Sequence, residues 1–328
     1  MEGNIKEPYL FLLLSLVDQI CWPEPPKRWG RPYAYPPLVI LKCFIAMVWL
    51  KLDSHRGLYS KLNSGTVEVE RLREVCGLCS LPSRRTFDRR FNRLSVDLKG
   101  RILTMARLLC EQGVVDPSIV STDSSLLKAN GNIWHKKHMK QGMLPCGNID
   151  VEANWGKSRC KGWIYGYKSC ITVTALPPTV PIYASLATAN VNDTRFYPEL
   201  VEQLPHETRF NVADTGFDDS ELYDTSSHRR MRLITPIRIY KSTPPERVKL
   251  AEFYNSPIGK AIYRLRSTSV EPFISQLKAL FPIDPPPVKG RKKAEACFLL
   301  AILVYQLTVH LNHQTGRPHR HIKHLLNN

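Results

Sequence analysis

Acidic residues are scarce in this chain. Over 328 residues, 29 Asp and Glu stand against 46 Lys and Arg, a formal net charge of +17. A balance so far from zero points to a polyanionic partner, and nucleic acid is the commonest. The excess is not a tail: residues 1–115 hold 18 basic against 11 acidic residues, and residues 284–328 hold 7 against 2. No apolar run reaches the ~20 residues of a membrane-spanning helix. Phe298 to Val309 is strongly apolar but short, and reads as a buried helix. Tyr9 to Val17 is also apolar, yet it follows Glu2 and Glu7 rather than a basic cluster, so no signal peptide is expected. Nine cysteines without a secretory signal suggest reduced thiols in the cytosol, and the odd count excludes complete internal pairing. Cys76-Gly77-Leu78-Cys79 has no second CxxC or paired-histidine motif at zinc-site spacing. His135, His138 and Cys146 are remote candidates, so two small residues in a helix or turn are the preferred reading. Repeats and low-complexity tracts are absent.

A hydrophobic fraction of 43% suits a packed core. The length accommodates about two domains. Residues 1–112 read as helical. Leu38, Ile40, Leu41, Phe44, Ile45, Val48 and Trp49 give Pro36–Lys51 a broad apolar face at helical spacing. Ser83 is placed to cap a helix through Leu94 in which Phe87, Phe91 and Leu94 form one stripe. Arg84, Arg85, Arg89, Arg90 and Arg93 populate the rest of it, with Asp88 the single acid. A solvated basic face is the plain reading. Five arginines in so short a helix favour contact with phosphates or a DNA groove. From Val114 short β-rich runs appear at 118–122, 167–174, 182–187, 210–213 and 232–235, with helices expected at 198–204 and 219–227. Residues 130–166 read as a long loop, and 237–260 as a small subdomain offering Lys241, Arg247 and Lys249 to DNA.

Two of these runs end in acids: Asp123 after Ser118–Thr122, and Asp214 after Phe210–Ala213. A third acid, Glu271, lies on an amphipathic helix. Two acids at strand ends and one on a helix can converge on a pair of divalent ions, the arrangement that drives displacement at phosphorus. Asp123, Asp214 and Glu271 are therefore the candidate catalytic and metal-binding residues. Asp150 and Glu152, in the expected loop, are their rivals. Lys289, Arg291, Lys292 and Lys293 follow three prolines and make a basic turn suited to a DNA backbone.

The blocks around the acids resemble the DDE transposases of bacterial insertion sequences, in the groups with a Tyr-Arg-Glu-Lys pattern. The similar stretches are Ser121-Thr122-Asp123, Trp163-Ile164-Tyr165-Gly166-Tyr167-Lys168, Ala189-Asn190-Val191-Asn192-Asp193 and Asp214-Thr215-Gly216-Phe217-Asp218. Tyr263, Arg266, Glu271 and Lys278 complete the order. Arg266 departs from the pattern, lying five positions before Glu271 where four are usual. The resemblance implies an α/β fold: a ribonuclease H-like mixed sheet with helices on both faces, preceded by an all-α DNA-binding domain. The expected divisions are 1–112 for DNA binding, 113–288 for catalysis and 289–328 for a helix packed on the catalytic domain. It further implies Mg²⁺ or Mn²⁺ as cofactor, Tyr263, Arg266 and Lys278 as DNA-positioning residues, and double-stranded transposon ends and target DNA as partners. A homodimer on DNA and a cytoplasmic, nucleoid-associated setting in bacteria are expected as well. A catalytically inactive DNA-binding derivative and a nuclease without strand transfer stay open as alternatives.

Overall fold

The computed structural model describes residues 6–23, 33–143, 147–158 and 161–327. Six helices come first: α1 (Lys6–Gln19), α2 (Pro37–Trp49), α3 (His55–Leu62), α4 (Val67–Cys76), α5 (Arg84–Phe91) and α6 (Leu94–Glu111). Ser83 caps α5 as its sequence predicts, its Oγ accepting from Thr86 N at 3.2 Å. The stripe of Phe87, Phe91 and Leu94 is buried. The helix itself stops at Phe91, so Arg93 lies in the break before α6.

The sheet follows in the order β1 (Ile119–Lys128), β2 (Asn154–Ser158), β3 (Gly162–Thr174), β4 (Pro181–Thr188), β5 (Phe210–Val212) and β6 (Arg232–Ile234). β3 pairs antiparallel with β1 on one edge and with β2 and β4 on the other. β5 joins β1 in parallel, and β6 joins β5 in parallel. This mixed sheet, with helices on both faces, is the ribonuclease H-like arrangement. β3 is buried on both sides along most of its length, with Ser169, Thr172 and Thr174 among its buried residues.

Two stretches differ from their sequence reading. β1 runs to Lys128, well past Asp123, because Ser124–Lys128 pair with Gly166–Cys170 of β3 although no apolar alternation marks them. Residues 130–166 are not one loop. They hold the short helix α7 (Lys136–Lys140), all of β2 and the first turn-proximal residues of β3, a hairpin whose pairing is supplied by β3 rather than by local hydrophobicity.

One face of the sheet packs α8 (Tyr197–Gln203) and α9 (Ser220–His228) around Val120, Cys170, Ile182, Phe217 and Leu233. The other lies under α11 (Pro257–Thr268) and α12 (Val270–Leu280), which follow α10 (Pro245–Asn255). The long α13 (Arg291–Gln314) is buried over most of its length, with α14 (Ile322–Asn327) after it. It is long and apolar enough to cross a membrane, but its apolar window is spent inside the fold against α6, β4, α2 and α1. Gln306 ties these layers together, its Nε2 donating to Ile102 O at 3.0 Å and Pro181 O at 2.8 Å. One apolar cluster runs from Leu10 through the sheet to Leu326, so the first helices share a core with the sheet.

Candidate active site

Parallel pairing of β1 with β5 sets Ser121 opposite Val212. Two residues further along come Asp123, within β1, and Asp214, just past the end of β5 in extended backbone. Side chains alternate across a strand, so both acids leave the same face, the one covered by α11 and α12. A buried polar ladder on the opposite face holds this register. Thr122 Oγ1 donates to Asn211 Oδ1 at 2.9 Å and lies 2.9 Å from Thr172 Oγ1, joining β5, β1 and β3 directly behind the acids.

Glu271 reaches the same place through a break between two helices. Pro272 has no N–H, and its ring would collide with the carbonyl of Thr268 in a continuous helix. The chain therefore interrupts at Ser269 (φ −116°, ψ −86°), and Glu271 falls in the first turn of α12. The break also absorbs the extra residue between Arg266 and Glu271. Arg266, on α11, donates from one guanidinium nitrogen to Asp123 Oδ2 at 3.0 Å and from another to Glu271 Oε1 at 2.5 Å. Tyr263 sits beside Arg266, its ring edge-on to Tyr254 at 5.1 Å.

The electrostatics follow from this crowding. Burial pushes the Asp123 carboxyl up to about 6; Arg266 opposes the shift and the nearby charge of Asp214 reinforces it. Burial also disfavours the charge on Arg266, but Asp123 and Glu271 outweigh it and hold the guanidinium above its usual range. Among the described residues no three His, Cys, Asp or Glu side chains stand close enough to hold an ion as they are. Three carboxylates, two of them adjacent, are nonetheless the oxygen donor set a hard divalent cation takes. Arg266 bridges two of them, Asp123 and Glu271.

Lys278 is engaged by the protein. Its ammonium donates to Ser125 Oγ and Leu126 O at 3.0 Å each and to Asp284 Oδ2 at 2.9 Å, while Asp284 Oδ1 accepts from Lys128 N at 2.8 Å. It clamps the polar end of β1 to α12. The rivals Asp150 and Glu152 are engaged as well. Asp150 Oδ2 accepts from Tyr167 OH at 2.7 Å and Gly290 N at 3.0 Å, and Glu152 Oε2 accepts from Arg291 N at 2.9 Å. They satisfy the first N–H groups of α13, a position that favours acids.

The basic candidates divide in the same way. Arg84, Arg85, Arg89 and Arg93 are exposed. Arg90 donates to Tyr35 O at 2.7 Å and stacks over Tyr33. Lys289 bonds Asn148, and Lys293 pairs with Asp88 at 3.0 Å, leaving the side chains of Arg291 and Lys292 exposed in that turn. Arg247 makes a two-pronged contact with Asp218 at 2.7 and 2.9 Å. Cys76 is buried beside Cys43 whereas Cys79 is exposed; Cys146 lies outside the described residues.

A further acid, Asp193, lies beside Asp214 across Gly216. Asp193 pairs with Lys168 at 2.9 Å and packs against the turn that presents Asp214. A Cβ on Gly216 would come within 2.7 Å of Asp193 Oδ2 and 2.9 Å of Asp214 Oδ1, so a larger residue there would displace one of the two carboxylates. Gly216 N in turn donates to Asp214 Oδ1 at 2.8 Å and fixes its orientation. The Asn192-Asp193 block was visible in the sequence, but only as a turn.

A ribonuclease H-like sheet that brings paired aspartates beneath a helix bearing a glutamate defines the polynucleotidyl-transferase class. The profile of the Transposase DDE domain family matches residues 115–307, which contain all three acids. The chain belongs to this family and is a DNA transposase; membership carries the use of a divalent metal and binding to DNA. No curated protein matches it significantly in sequence. Similar solved structures include a piggyBac transposase synaptic complex with hairpin DNA, at 11% identity and TM-score 0.40 over 99% of this chain and 79% of that one. A pre-cleavage Mos1 transpososome is similar at 10% identity and TM-score 0.22, over 88% and 82%. The Mos1 mariner paired-end complex with Mn is similar at 11% and 0.22, over 87% and 80%.

Proposed function

We propose that this transposase cuts DNA at the ends of an insertion sequence and joins those ends to target DNA, with Asp123, Asp214 and Glu271 holding Mg²⁺ or Mn²⁺. The observation that carries this reading is the parallel register of β1 and β5, which sets two acids side by side under the helix break that delivers the third. Such ions, when bound, generate the attacking oxygen and offset charge on the leaving one. The chain's own residues do the rest. The Thr172–Thr122–Asn211 ladder and the Gly216 N–H hold Asp123 and Asp214 in place before substrate arrives. Lys278 keeps β1 against α12, so Glu271 stays level with Asp123. Tyr263 and Arg266 lie beside the acids and position DNA.

Residues 1–112 bind the transposon ends through the exposed arginines of α5, residues 113–288 catalyse, and 289–328 close the core. Two copies act together on a pair of ends, in the cytoplasm at the nucleoid of a bacterium. The test is metal-dependent cleavage and joining of a duplex carrying the inverted repeats that flank the gene. Asp123→Ala, Asp214→Ala and Glu271→Ala should each lower cleavage by about three orders of magnitude, the scale of losing several kcal/mol of transition-state charge stabilisation. Full cleavage in any one of them would remove that residue from the site. Cleavage without joining would leave a nuclease.

A further inference from the structure

The guanidinium of Arg266 takes Asp123 Oδ2 and Glu271 Oε1, the same carboxylates that a divalent ion needs. Resting on the metal-dependent reading above, we propose that Arg266 competes with the metal for these acids and is drawn off them by a DNA phosphate, so that metal affinity and DNA binding are coupled through one side chain.

Three observations support an exchangeable rather than a permanent contact. First, the two acids held by Arg266 sit on elements that are not continuous with it. Arg266 ends α11, Glu271 begins α12 beyond the interruption at Ser269, and Asp123 is on β1. The guanidinium therefore reaches each acid across an element boundary rather than within one helix. Second, Arg266 Nε is buried with no acceptor, so the contact leaves a donor unsatisfied. A phosphate takes two or more donors of a guanidinium in a planar fork and would satisfy it. Third, two other cations near the acids are committed elsewhere: Lys278 has three protein acceptors and Lys168 pairs with Asp193. Arg266 is thus the basic group at the acids with capacity left for substrate. Two ligands that compete for one group, one of which is relieved by a third partner, are coupled reciprocally: DNA tightens metal, and metal tightens DNA.

The experiment measures Mn²⁺ binding to the full chain by paramagnetic resonance of free Mn²⁺, with and without a short DNA duplex. In the wild type the duplex should tighten Mn²⁺ by about fivefold or more, the low end of coupling between linked sites. Arg266→Gln should bind Mn²⁺ more tightly by a similar factor without DNA, and the duplex should then add nothing. Arg266→Lys, which keeps the charge but loses the fork, should fall between. Equal or weaker Mn²⁺ binding by Arg266→Gln overturns the competition. So does a wild type indifferent to duplex, which covers the case of a variant that fails to fold. Asp123→Asn separates the two readings: if it binds Mn²⁺ as the wild type does, the metal site itself is wrong, whatever Arg266 does.

Discussion

Two basic stretches far apart in the sequence, 84–93 and 289–293, have similar compositions and opposite settings. On α5 the arginines at 84, 85 and 89, with Arg93 just beyond, face solvent, and only Arg90 is drawn inward. In the later stretch, which runs into α13, the chain is held by three acids and an asparagine. Asp150 and Glu152 take its backbone N–H groups, Asn148 takes Lys289, and Asp88 takes Lys293. The lesson is that a count of charges states what a surface can attract, whereas acids brought from elsewhere decide which charges are left to do so. The Lys293–Asp88 pair also joins the two stretches, so the exposed arginines of α5 and the exposed Arg291 and Lys292 belong to neighbouring surface.

The largest test of this contrast is Asp150→Ala. Tyr167 OH and Gly290 N would each be left without a buried acceptor, at about 1–3 kcal/mol apiece, and thermal melting should register the change. The affinity of the folded fraction for DNA should stay as it was; a matching drop in affinity would break the contrast. Next in size, Arg85→Ala with Arg89→Ala should leave melting unchanged and weaken binding to a duplex. The slope of log affinity against log salt should fall by about two, since each arginine would neutralise one phosphate. An unchanged slope would return α5 to a merely solvated face.

A smaller effect is expected from Lys293→Ala. Its pair with Asp88 is partly exposed and contributes at most about 1 kcal/mol, and the salt slope should move by less than one. The smallest concerns His55, which lies 3.4 Å from Asp88. Burial lowers its pKa; Asp88 pulls it back up, and Lys293 and Arg84 push it down again. The fold therefore prefers neutral His55, and its contribution to stability is present above the unfolded value of about 6.5 and lost as pH falls below it. His55→Asn should flatten the melting temperature between pH 7 and 5. A curve of unchanged steepness would place the titrating group elsewhere.

The candidate acids are legible in the sequence because each terminates or opens a recognisable local pattern. Asp123 and Asp214 follow apolar runs, and Glu271 with Lys278 shares one helix face. The strands at 167–174, 182–187, 210–213 and 232–235 were visible from β-branched and apolar enrichment, and each formed within a few residues of its expected ends. The second half of β1 was not, because Ser124 and Ser125 carry no strand signal and are held by β3 and Lys278. Nor was β2, which pairs with β3 in a stretch rich in polar and aromatic residues. Asp150 and Glu152 could not be told from metal ligands until α13, some 140 residues later, claimed them.

The sequence by itself determined the order of the strands and helices and, through the family resemblance of its blocks, the fold class and the three candidate acids, since element patterns and short motifs are local properties. Tertiary structure alone decided which charges are free. It brought Arg266 between Asp123 and Glu271, set Asp193 against Gly216, and committed Lys278, Lys293 and Arg247 to protein partners. The physical reason is range: a carboxylate and a guanidinium interact through a few ångströms of space, and only the packed sheet and its helices place residues so far apart in the chain at that separation.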